Sequence, residues 1–148
     1  MIDPDKIFKL FDRVDQDPPL KEKAQIADQL LALRETPAFK IGMIKKLVFN
    51  HINLHNSNIF DFIKRAGLDL DMEDVKNAGE FIIYNRVWEY AKDLDVRDIE
   101  TFETLKKGAC QELLTAIKLC INYFEEKEEY EKCSHLKKLQ DVVDFFTR

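Results

Sequence analysis

The sequence predicts an all-α protein of six to seven helices, a compact helical bundle with a long C-terminal helical hairpin. Three observations carry that expectation. All four prolines (Pro4, Pro18, Pro19 and Pro37) fall near the N-terminus, so the rest of the chain lacks the residue that most often breaks a helix. Only four glycines occur, at Gly42, Gly67, Gly79 and Gly108, each standing alone. Apolar residues recur three and four positions apart, and no β-branched run shows strict alternation.

Each element has a local reason. Asp3 and Pro4 open a first helix with Ile7, Leu10, Phe11 and Val14 on one stripe, and Asp17-Pro18-Pro19 ends it. A second helix over residues 20–34 turns Ile26, Leu30 and Leu33 inward. Thr36-Pro37 is a cap-plus-proline start for a third, which buries Ile41, Ile44, Leu47, Val48 and Ile52. Asn56-Ser57-Asn58 reads as a loop and new cap, and the short helix after it stops at Gly67, suited to a left-handed C′ position. Asp71 caps a helix over 72–94 that is apolar on more than one side (Val75, Phe81, Ile82, Tyr84, Val87, Trp88, Ala91), so it is expected to be sandwiched between others. From about Ile99 the chain enters the C-terminal pair, 113–146, which turns at Glu125-Glu126-Lys127-Glu128-Glu129.

A chain of 148 residues fits one domain and can bury a sizeable core without staples. If it subdivides, the boundary is expected at Asp95–Asp98, giving an N-terminal bundle (1–95) and the hairpin (96–148). A hydrophobic share of 45% with 11% aromatics argues against disorder, and eleven Phe against one Trp imply a Phe-rich core. No apolar run is long enough to span a membrane, and Met1-Ile2-Asp3-Pro4-Asp5 lacks the plan of a signal peptide. Cys110, Cys120 and Cys133 are odd in number and loosely spaced, which predicts reduced thiols and a cytoplasmic setting. The richness in Lys, Asn, Ile and Phe suits an AT-rich genome, bacterial or phage.

Charge is unevenly placed. Residues 36–67 carry five basic side chains (Lys40, Lys45, Lys46, Lys64, Arg65) and one acid, net +4, whereas 68–104 carry four basic and eleven acidic, net −7. The basic segment also holds Asn50, His51, Asn53 and His55. Lys, Asn and His can meet phosphates and base edges, so a nucleic-acid face there is one expectation, and balance against the acidic segment is the other. No helix-turn-helix spacing or RNA-binding signature accompanies it.

Patterns that carry chemistry are sparse. His51 and His55, four apart, are candidate metal ligands, yet lack the glutamate of the zinc-protease helix. Cys120, Cys133 and His135 approach one another if the hairpin closes near Lys127, but no tight cysteine pair supports zinc. No paired Glu-x-x-His elements, nucleophile elbow or phosphate-cradling glycine loop occurs. The expectation is therefore a non-enzymatic chain without a cofactor.

The run Glu129-Tyr130-Glu131-Lys132-Cys133-Ser134-His135-Leu136-Lys137 resembles the second helix start of a UVR motif, the short hairpin of the bacterial excision-repair B and C subunits. Cys133 and Ser134 stand where that motif has two alanines, and Lys137-Lys138 replaces its arginine–aspartate pair. The same segment resembles a single tetratricopeptide helix pair, with Tyr123, Phe124 and Tyr130 in aromatic positions, although a solenoid needs about three repeats. Either resemblance covers only 113–146 and implies protein–protein contact or self-pairing. The expected contact residues are Tyr123, Phe124, Tyr130, Leu136, Phe145 and Phe146. The function that follows is a small interaction module, an adaptor, inhibitor or assembly factor, with nucleic-acid binding through Lys40, Lys45, Lys46, Asn50, Lys64 and Arg65 as the alternative. A metal- or small-ligand-binding helical protein is the third reading.

Overall fold

The computed structural model describes residues 4–5, 19–57 and 59–148, the side chains of 54–60 excepted. Among the described residues there are seven helices and no strand: α1 (Leu20–Glu35), α2 (Pro37–Ser57), α3 (Ile59–Arg65), α4 (Met72–Ala91), α5 (Ile99–Gly108), α6 (Gln111–Glu126) and α7 (Tyr130–Thr147). Pro4 and Asp5 are helical; the stripe expected at Ile7, Leu10, Phe11 and Val14 lies outside the described residues.

The chain divides into two compact units, residues 1–35 and 36–148. Within the second unit one core spans both sides of the turn at Asp95–Asp98. Ile44, Val48 and Val87 belong to the same buried cluster as Leu105, Ile117, Leu136 and Val143.

In the first unit, α1 begins after Pro19, whose carbonyl accepts from the N–H groups of Glu22 and Lys23. Its expected inward residues are not inward. No residue of α1 is buried, and Ile26, Leu30 and Leu33 are each at least half exposed.

The second unit is organised around α2, which packs against α3, α4, α5 and α6. The Thr36 hydroxyl accepts from the Phe39 N–H at 3.3 Å, fixing the helix start, and Ile41, Ile44 and Val48 point into the core. The helix continues through Asn56 and Ser57, where a loop was expected. Gly67 closes α3 with φ +64°, the left-handed conformation that glycine tolerates best. The Asp71 carboxylate caps α4 by accepting from the Glu73 N–H at 2.9 Å.

α4 is not the sandwiched helix its composition suggested. It buries only the stripe Tyr84, Val87 and Ala91, while Phe81 and Ile82 are more than 60% exposed. The central role falls to α2, whose neighbours take up several sides. Beyond α4, the Asp95 carboxylate accepts from the backbone and guanidinium of Arg97, which holds the acid below its usual range. Asp98 then caps α5 through the Thr101 N–H and hydroxyl. The C-terminal pair is preceded by this separate short helix, because the chain leaves helical geometry at Ala109 and restarts with Cys110 as the cap of α6.

Candidate functional site

The hairpin is built as expected in its local geometry. α6 places Leu113, Leu114, Ala116, Ile117, Cys120, Tyr123 and Phe124 on one buried face. Lys127, Glu128 and Glu129 make the turn: Glu128 adopts φ 58°, and the Glu129 N–H returns to the Phe124 carbonyl at 2.9 Å. α7 then packs back along α6 and brings Leu136, Leu139 and Val143 inward.

α6 packs on α2 and α7 on α5, and the hairpin's rings meet this chain's own α4. Tyr123 stacks on Tyr84 with ring centroids 4.6 Å apart, and His51 meets the other ring edge-on at 6.0 Å. Phe124 lies edge-on to Trp88 at 6.2 Å, and Trp88 to His135 at 5.4 Å. The Lys132 ammonium, paired with Glu129, sits 4.9 Å over the Phe124 ring and 5.6 Å over Trp88. His135 donates from Nε2 to the Ala91 carbonyl at 2.7 Å, satisfying the end of α4. Three of the expected contact residues are therefore interior: Tyr123, Phe124 and Leu136 are at most 5% exposed. The signal that points to this lies in α4, where Tyr84 and Trp88 stand four residues apart and present two rings to one side.

The other three expected contact residues lie toward the outside. Tyr130 is 64% exposed at the hairpin turn. Phe145 is 70% exposed, and its ring meets that of Phe146 at 5.0 Å. Phe146 is half-buried, edge-on to Phe102 of α5 at 5.6 Å and beneath the Lys106 ammonium. Ile99, one turn before Phe102 on the same side of α5, is 80% exposed. α5 and α7 pack together, and Phe102, Phe145 and Phe146 form an apolar corner there, with Ile99 one turn along α5; sequence reasoning located it only through its two C-terminal phenylalanines.

The thiols are packing groups. Burial pushes Cys120 up to about 12, and Tyr84 is likewise raised to about 12, by burial and then by the neighbouring Cys120 and acidic groups. The Cys133 thiol donates to the Ile121 carbonyl, and the Cys110 sulfur accepts from the Leu113 N–H. Cys120, Cys133 and His135 form no metal-type cluster, nor does any other group of three such side chains among the described residues. His51 is buried against Tyr84 rather than turned outward, and the side chain of His55 lies outside the described residues.

The basic segment is partly consumed inside the fold. Lys40 is only 8% exposed and reaches Asp93 at 3.6 Å, and Lys45 reaches Glu112 at 3.7 Å. Lys46, Asn50, Lys64 and Arg65 are exposed. Lys40 thus drops out of any nucleic-acid face, and its charge answers the acidic segment that follows. No helix among the described residues is long and apolar enough to cross a membrane. The likeness of 113–146 to a UVR-type or tetratricopeptide-like hairpin is one of local pattern: compared with models of protein families, with curated proteins and with solved structures, the chain matches none.

Proposed function

We propose that this chain is a small non-enzymatic protein–protein interaction module, an adaptor, inhibitor or assembly factor that holds a protein partner through helix–helix contacts. The observation that carries the reading is the apolar corner of Ile99, Phe102, Phe145 and Phe146, two of whose members are at least 70% exposed. Keeping such side chains in water forgoes about 1.5–3 kcal/mol for each that a partner would bury. Exposed apolar side chains beside a packed aromatic cluster are the kind of surface a protein partner covers. The hairpin contributes the corner through Phe145 and Phe146 at the end of α7, while its buried rings Tyr123 and Phe124 pack on α4. Three free thiols fit a reducing compartment such as a bacterial cytoplasm.

A photoreactive phenylalanine analogue placed at Phe145 tests the reading in cells of the source. The expected outcome is a discrete covalent adduct with one protein, absent when the same group replaces Lys118 on the polar side of α6. Equal labelling from both positions, or none from Phe145, would contradict it.

A further inference from the structure

A cavity of about 490 Å³ opens between α2, α5 and the start of α6. Its floor is apolar, with Ile41 and Leu113, its rim carries Lys45 and Lys107, and its walls include Gly42 and Gly108. A volume of this scale with an apolar lining and a few polar groups is that of a small-molecule site.

The two glycines are the informative residues. Gly42 lies within α2, where glycine is less favourable than alanine by roughly 0.5–1 kcal/mol. Packing does not require it, because a Cβ built there meets nothing within 4 Å, and the same holds at Gly108. Conformation does not require it either: among described glycines only Gly67 has positive φ. The physical consequence of glycine at both positions is that the cavity wall stays bare backbone. The cations supply the other half of the recognition. Lys45 is 3.7 Å from Glu112, and Lys107 makes no ion pair among the described residues.

We propose that this cavity binds a small amphipathic anion, an aliphatic chain ending in one carboxylate. The chain lies over Ile41, Leu113 and the two bare glycine backbones, and the carboxylate meets Lys107, with Lys45 at the rim. The charge and the apolar floor each contribute, so neither a bare anion nor a neutral chain satisfies the site.

The test uses the full chain labelled with ¹⁵N and decanoate as the probe, because glycine amides resolve well in such spectra. Decanoate is expected to shift Gly42 and Gly108 saturably and to leave Gly67 and Gly79 unmoved, while acetate shifts none of them saturably. Gly42→Leu puts a side chain into the cavity, where a Cβ has room, and should abolish binding with helix content unchanged; Gly108→Leu does the same from the opposite wall if the first variant fails to fold. Lys107→Glu should weaken binding about tenfold or more, the loss expected for a charge-assisted contact. Absence of saturable shifts at both glycines, or wild-type affinity in a folded Gly42→Leu or Gly108→Leu variant, would overturn the site. Decanol binding as tightly as decanoate would overturn the assignment of an anion.

Discussion

α1 and α6 are both 16 residues long and draw on similar shares of apolar residues, yet α6 buries seven side chains while α1 buries none. The difference lies in where the charges stand. In α6 the line Leu113, Ala116, Ile117, Cys120, Tyr123 and Phe124 runs unbroken, with Glu112, Lys118, Glu125 and Glu126 kept off it. In α1, Lys23 and Arg34 fall at helical spacing with Ala27, Leu30 and Leu31, so the apolar arc is interrupted by two cations. Apolar content alone therefore does not decide burial. A continuous stripe can enter a core, whereas an interrupted one keeps its aliphatic groups near water.

That contrast can be broken by mutation, and the largest effect is expected in α6. Phe124→Ala removes a fully buried ring packed on Trp88 and under Lys132, and should cost about 3–5 kcal/mol in chemical denaturation. A cost below 1 kcal/mol would mean that the hairpin does not carry the core. The next effect is alkaline. Cys120 and Tyr84 titrate near 12 when folded against reference values of 9.0 and 10.0. The unfolded state then loses its protons first, so stability is held below about pH 9 and falls as pH rises from 9 toward 12. Cys120→Ala should flatten the first part of that fall, and an unchanged profile would show that the thiol is not buried.

Smaller effects sharpen the comparison. Cys110→Ser places a better hydrogen-bond acceptor at the cap of α6 and should raise stability by about 0.5 kcal/mol, read from the denaturation midpoint. Leu30→Ala on α1 should change stability by no more than about 0.5 kcal/mol, because that side chain is already half exposed. A loss of 2 kcal/mol or more there would place α1 in a core and erase the contrast.

The elements themselves were legible because their signals are local. Thr36-Pro37, Gly67, Asp71 and the acidic turn at 125–129 announce caps and turns through backbone chemistry within a few residues. The partners of each face were not legible, because they are distant in sequence. Nothing near Tyr123 announces Tyr84, and nothing near Lys40 announces Asp93. The helical period marks Phe81 and Ile82 as apolar in the same way as Tyr84 and Val87, and only the position of α2 decides which pair is covered. The hairpin aromatics read as a partner surface for the same reason: a ring that needs a neighbour does not say whether the neighbour belongs to the same chain. Phe145 and Ile99 differ in that the fold leaves them uncovered.

The central claim is that the hairpin core holds the fold while the Ile99–Phe145 corner holds a partner. It is tested most directly by affinity capture with two full-length variants measured beside the wild type. The double variant Ile99→Asp/Phe145→Asp should keep the wild-type unfolding midpoint within a few degrees and lose the partner that the wild type recovers. Leu136→Ala should lower the midpoint and still recover that partner at temperatures where it is folded. Retention of the partner by the folded Ile99→Asp/Phe145→Asp variant would contradict the account.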